Sequence, residues 1–176
     1  MAKKLTGKAL EAALDRLYAA IVAALPNDRR IAVVGIRTRG ETLGRRIVER
    51  LGKDLGTEVE FGVLDITFYR DDLSRRRGAP LVRATEIDFD LDGTWVLLVD
   101  DVLQTGRSIR AALDAIHDFG RPDTVRLAVL IDRGGRELPI AADFVGQKVD
   151  APPGCRVQVK LKENDGEEGV RIIRRP

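Results

Sequence analysis

Apolar and polar positions alternate along this chain in three distinct rhythms, and the rhythms predict its elements. From Thr6 to Leu25 the apolar residues Leu10, Leu14, Leu17, Tyr18, Ile21, Val22 and Leu25 recur at helical spacing, with Thr6 able to cap the start and Pro26-Asn27-Asp28 stopping the run. Ile31–Ile36 is a short β-branched run, read as a buried strand. After Arg37-Thr38-Arg39-Gly40, a second helix carries Leu43, Ile47 and Leu51, with Gly52 suited to its C-terminal cap. Val59–Tyr69 reads as a long strand and Val82–Phe89 as its antiparallel return. Between them lies the charged stretch Arg70–Pro80, expected to be an exposed mobile loop, either a lid or merely disordered surface, with its charges of both signs favouring the lid. Thr94–Val99 is the next buried strand, and the helix after it starts at Ser108 and shows Ile109, Ala112, Leu113, Ile116 and Phe119 on one face. Val125–Asp132 and Ala142–Val145 are further strands. Arg156–Lys162 and Val170–Ile173 alternate, which suits an antiparallel hairpin with one wet face closed by a turn at Asn164–Gly169.

Strands that repeatedly feed helices imply an α/β fold: a central, mainly parallel sheet with helices on both faces and loops gathered at the strands' carboxyl ends. The chain of 176 residues, 44% hydrophobic and 33% charged, fits a single globular domain over residues 1–176. There is no apolar run of about 18 residues, so no membrane partner is expected and a cytoplasmic setting is the default. Cys155 is the sole cysteine and His117 the sole histidine, which excludes an internal disulfide, a thiolate metal cluster and most zinc chemistry. Net charge is only +2, yet arginines bunch at Arg37/Arg39, Arg45/Arg46, Arg75–Arg77, Arg133/Arg136 and Arg174/Arg175, as phosphate ligands, a nucleic-acid surface or a solvated face.

The chemistry concentrates at Val96–Ser108. An apolar strand ends in Asp100-Asp101, and Thr105-Gly106-Arg107-Ser108 opens a helix. Unsatisfied N–H groups and the dipole at such a helix start favour an anion, and paired carboxylates can hold sugar hydroxyls or a divalent ion. A phosphorylated sugar bound with a metal is the expected ligand. Thr38, Arg39 and Gly40 add a hydroxyl, a guanidinium and unobstructed backbone at a neighbouring strand end, where open α/β sheets bind ligands.

These residues resemble a known family. Val96–Ser108 is similar to the 5-phosphoribosyl-1-pyrophosphate (PRPP) motif of type I phosphoribosyltransferases. Val34–Gly40, Asp65–Ser74 and Ala128–Ile140 resemble the PyrR family, pyrimidine operon attenuation regulators that also carry uracil phosphoribosyltransferase activity. The resemblance implies the type I phosphoribosyltransferase fold and a reaction in which uracil and PRPP give UMP and pyrophosphate. It implies Asp100 and Asp101 on the ribose and on Mg²⁺, with Arg70 completing the catalytic set from the closing loop. It places Leu103, Gln104, Thr105, Gly106, Arg107 and Ser108 around the 5-phosphate, and Thr38, Arg39 and Gly40 at the pyrophosphate. Ile131, Asp132 and Arg133 would shape the uracil pocket, and Arg136 would be a candidate for RNA contact. Partners follow: PRPP, uracil, UMP or UTP, the pyr mRNA leader hairpin, and a second copy of the chain in a homodimer or larger assembly. The alternatives are a uracil phosphoribosyltransferase without an RNA role, or a nucleotide-sensing RNA-binding protein with little catalysis. The chain departs from the family pattern in three places. Gln104 stands where purine enzymes commonly have a carboxylate and PyrR relatives often a tyrosine. Gly135 replaces a histidine and Ala141 an arginine, so one phosphate contact to RNA is weakened.

Overall fold

The computed structural model describes residues 4–70 and 83–174. Five parallel strands form the central sheet: β2 (Ile31–Ile36), β3 (Glu60–Leu64), β4 (Trp95–Leu103), β5 (Thr124–Asp132) and β6 (Phe144–Lys148), in the order β3-β2-β4-β5-β6. A smaller antiparallel sheet joins β1 (Lys4–Leu5), β8 (Gly169–Arg174) and β7 (Cys155–Lys160). The helices are α1 (Lys8–Ala23), α2 (Arg39–Leu55), α3 (Arg107–Ile116) and a single turn, α4 (Lys162–Asp165).

The inner strands read as continuous apolar runs because both faces of the sheet are covered. Successive residues pack into opposite layers. Val33, Leu97, Val99, Ala128 and Leu130 face α1, α2 and the small sheet, whereas Ala32, Val34, Val96, Leu98, Leu127 and Val129 face α3. In α1 the buried set Leu10, Ala13, Leu17, Tyr18 and Ile21 follows the predicted stripe.

Several expected boundaries move, each for a local reason. The helix after β2 runs past Gly52 to Leu55, and Gly56, at φ 63° and ψ 25°, takes the left-handed cap. The long strand expected from Val59 to Tyr69 stops at Leu64. Asp65 Oδ1 accepts both the Thr67 N–H at 2.8 Å and the Thr67 hydroxyl at 2.5 Å, turning the chain into a 3₁₀ turn at Thr67–Tyr69. Among the described residues the strand expected to return from Val82 to Phe89 shrinks to one antiparallel bridge, Val63 with Glu86, and Val82 lies outside them. Conversely, β4 extends beyond Val99 and carries both aspartates within it, and α3 starts one residue before Ser108. The sequence pattern gave no sign of β1, which is too short to show a period. Residues 71–80 of the expected lid lie outside the described residues.

Candidate functional site

Three loops meet at the carboxyl edge of the sheet, and glycines permit their approach. A Cβ at Gly40 would lie 2.4 Å from the Val99 carbonyl oxygen, and one at Gly35 would lie 2.6 Å from Glu41 Cα. The start of α2 therefore packs directly against the ends of β2 and β4. Gly40 serves this close packing, beyond the unobstructed backbone expected of it. The Arg37–Thr38 peptide bond is cis.

At the start of α3, Gly106 adopts φ 92°, a conformation that side-chain-bearing residues avoid. The first helical bond runs from Arg110 N–H to the Gly106 carbonyl at 2.9 Å. N–H groups ahead of it have no acceptor within the helix. The carbonyls of the same loop are turned the other way, toward the loop after β5. Leu103 O accepts Arg133 N–H at 3.1 Å, Gln104 O accepts Arg136 Nη1 at 3.0 Å, and Thr105 O accepts the N–H groups of Glu137 and Leu138 at 3.0 and 3.1 Å. Within the loop Arg107 N–H donates to Thr105 Oγ1 at 3.3 Å and Arg107 Nε to Glu137 at 2.8 Å, and a helix start of this kind favours an anion on the side away from the tied carbonyls.

Asp100 and Asp101 each accept the next residue's backbone N–H, from Asp101 and Val102, at 2.8 Å. Burial pushes the Asp100 carboxyl well above the usual carboxylate range, and the adjacent Asp101 charge adds to it. Burial also raises Asp101, while hydrogen bonding to Asp100 and the positive Arg39 oppose the rise. Two carboxylates so placed gain from any cation or hydroxyl donor that enters.

Two hollows adjoin here and share Arg70, Val102 and Ser108. One, of about 350 Å³, is lined by the Leu103–Ile109 segment and by Val157 from β7. The other, of about 410 Å³, brings Thr38 and Arg39 together with Asp100, Asp101, Asp65 and Arg83. Arg39 donates to Asp165 in α4, at 2.6 Å from Nη2 and 3.3 Å from Nε, and holds that carboxyl below its ordinary range. Arg37 spans to the far stem of the 71–82 segment, donating to the Ala84 carbonyl at 2.7 and 3.1 Å and to Glu86 at 2.8 Å. Asp65 ties the same stem down by accepting Arg83 N–H at 2.6 Å.

The loop after β5 is braced from within. Asp132 accepts Gly134 N–H at 3.0 Å and Arg136 Nη2 at 2.7 Å. Burial alone would raise Asp132, but these two partners outweigh it and hold the carboxyl low. Arg136 spends Nε on the Ile140 carbonyl at 2.8 Å and Nη1 on Gln104, so all three nitrogens serve the loop. Arg133 donates Nη1 to the Cys155 carbonyl at 2.9 Å, tying the loop to β7. Ile131 is fully buried in the core beneath. Gly134 and Gly135 have φ of 66° and 76°, a path that a histidine at position 135 would strain. Gly135 faces the Gln104 side chain, with Cγ 3.8 Å from where a Cβ would sit, so two of the departures from the family pattern are neighbours.

Sequence reasoning did not pick out Asp65, Arg83, Val157 or Asp165. Asp65-Ile66-Thr67 carried a readable turn signal; the other three reach the site only through tertiary contact. Among the described residues no group of three or more His, Cys, Asp or Glu side chains is arranged around a metal position.

The phosphoribosyl transferase domain family matches residues 3–163. The bifunctional protein PyrR of Elusimicrobium minutum is 48% identical over 167 residues, covering 95% of this chain and 93% of that protein. The one from Roseiflexus is 57% identical over 147 residues, covering 83% and 80%. The fold is similar to that of a hypoxanthine phosphoribosyltransferase from Trypanosoma cruzi, with a TM-score of 0.69 at 16% identity over 98% of this chain and 96% of that one. The chain therefore belongs to the phosphoribosyl transferase domain family and, within it, to the PyrR proteins.

Proposed function

We propose that this phosphoribosyltransferase joins uracil to the ribose of PRPP, releasing pyrophosphate, and that the nucleotide it makes or binds governs recognition of a pyr mRNA leader hairpin. The observation that carries the first part is the α3 loop, whose carbonyls are tied to the loop after β5 and whose helix start, with Ser108, lines a hollow of about 350 Å³ suited to a 5-phosphate. Thr105 and Arg107 complete that cradle. Asp100 and Asp101 accept the ribose hydroxyls. Thr38 and Arg39 hold the pyrophosphate, with Arg70 at the boundary of the two hollows.

In the reaction the bond between the sugar's anomeric carbon and the pyrophosphate oxygen breaks as that carbon bonds to the uracil nitrogen, whose proton passes to the departing pyrophosphate or to solvent. Positive charge grows on the sugar beside the two carboxylates, and negative charge grows on the leaving group beside Arg39. Phosphoribosyltransferases generally use Mg²⁺ with PRPP, and the donor set here fits one. Mg²⁺ is commonly held by one or two carboxylates together with substrate phosphates, which is what Asp100 and Asp101 offer. When bound it neutralises charge on the leaving pyrophosphate. We assign the base to the loop at Ile131, Asp132 and Arg133, near Gln104, a neutral amide where a purine-directed carboxylate would stand; Ile131 itself lies in the core, and none of the three lines either hollow.

Incubation with labelled uracil, PRPP and Mg²⁺ is expected to yield UMP, and Asp101→Asn is expected to lower the rate by about 10²-fold or more, the scale of losing an electrostatic contact in the transition state. Absence of UMP at high protein concentration contradicts the enzymatic reading.

The PyrR relationship favours the RNA reading as well. For that role, the internal bonding of Arg136 supports a part in shaping the loop over a direct phosphate contact. Binding of a leader hairpin is expected to strengthen with UMP. Equal affinity for an unrelated hairpin of the same size contradicts specific regulation. A homo-oligomer, as in the family resemblance, is the form we propose.

A further inference from the structure

Arg39 stands at the first turn of α2, and its guanidinium is held from outside the loop that carries it. Its Nη2 and Nε both donate to the Asp165 carboxylate, 126 residues further along the chain. Asp165 is itself anchored, since its Oδ2 accepts the Leu161 N–H at 2.9 Å and Leu161 is fully buried. Two more residues on the same face of α2 reach the same turn. Thr42 donates to Asn164 Oδ1 at 2.7 Å, and Arg46 donates to Glu163 at 2.6 and 2.8 Å and to Glu168 at 2.5 Å. Positions 39, 42 and 46 share a helix face, so they act as one docking stripe.

A guanidinium carries five N–H donors in a rigid plane, and it can engage one anion through its Nε/Nη2 edge while its Nη1/Nη2 edge meets another. Asp165 takes the first edge. Arg39 also lines the hollow that holds Asp100 and Asp101. We propose that Asp165 is a positioning residue for the phosphoribosyl donor: by holding one edge of Arg39 it presents the other to the diphosphate oxygens, so the turn between β7 and β8 sets donor affinity. This rests on the reading of Arg39 as a pyrophosphate ligand.

The test is calorimetric titration of the full chain with magnesium pyrophosphate and, separately, with UMP, for wild type, Asp165→Asn, Asp165→Ala and Arg39→Ala, with a thermal melt of each. Asp165→Ala is expected to weaken pyrophosphate binding about ten-fold, the scale of a lost charged hydrogen bond. Asp165→Asn, which keeps one acceptor, is expected to weaken it less. UMP has no diphosphate, so its affinity is expected to stay within about two-fold, and in turnover assays the KM for PRPP is expected to rise with little change in kcat. Unchanged or tighter pyrophosphate binding in both Asp165 variants overturns the proposal, and so does an equal loss for UMP, the mark of a merely structural role. If Arg39→Ala weakens pyrophosphate binding and Asp165→Ala does not, only the positioning role falls. If neither changes it, the reading of Arg39 falls as well.

Discussion

At the scale of single residues, Asp100 shows what the site costs the fold. It is a carboxylate in a strand whose residues from Trp95 to Val99 are all buried and apolar, and burial raises its pKa. A raised folded-state value means the stabilising contribution is full below the unfolded carboxylate range and is lost as pH rises through the folded value. At neutral pH the free protein therefore carries a penalty. Asp100→Asn keeps an acceptor for Asp101 N–H and removes that penalty. It is expected to raise the melting temperature by a few degrees, about 2–4 °C per kcal/mol for a chain of this size, while abolishing turnover. An unchanged or lower melting temperature contradicts the strain assigned to Asp100. The two aspartates and Thr105-Gly106 were legible in the sequence because their chemistry sits within one short stretch. Asp165 was not, since nothing local distinguishes one acid in Asn164-Asp165-Gly166-Glu167-Glu168 from its neighbours.

At the scale of elements, the loop after β5 works as a braced arch, with Asp132 and Arg136 as its crosspiece and the α3 loop as its footing. Arg136→Ala leaves the Gln104 and Ile140 carbonyls without their donor. It is expected to raise the KM for uracil about ten-fold or more and to leave the salt dependence of RNA binding nearly unchanged, because a phosphate contact would instead change the slope by about one. The Asp132 carboxyl is held low, so its contribution is present above the unfolded carboxylate range, near pH 4, and is lost as pH falls through the folded value. The stability difference between wild type and Asp132→Asn is therefore expected to be largest above about pH 4 and to shrink below it, as read from thermal melts across pH. The types of the central strands and long helices were readable from periodicity, whereas the return expected at Val82–Phe89 was not a strand and the ends of elements depended on single hydrogen bonds. Asp65 ended β3 early, and Gly56 took the cap that the pattern offered to Gly52.

At the scale of the molecule, the sheet is a platform covered on both faces, and the two hollows that share Arg70 open at its carboxyl edge. Leu97 is fully buried between β4 and the α1–α2 layer. Leu97→Ala is expected to destabilise the chain by about 2–5 kcal/mol in denaturant unfolding, with the residual folded protein still binding PRPP. The layered architecture was legible because covered strands are apolar throughout and helices carry one stripe. The small sheet was half legible: the β7–β8 hairpin showed its alternation, and β1 did not. Its importance for the site lies in Arg133 and Arg39, which tie the loop after β5 and the start of α2 to its two ends.

The reaction to be tested is transfer of a phosphoribosyl group to a pyrimidine. Phosphorus NMR of PRPP with Mg²⁺ and the protein tests it in a single vessel. With uracil, the PRPP resonances are expected to give way to UMP and pyrophosphate in equal amounts, and with hypoxanthine they are expected to persist. PRPP that survives with uracil, or that is consumed faster with hypoxanthine, contradicts the claim.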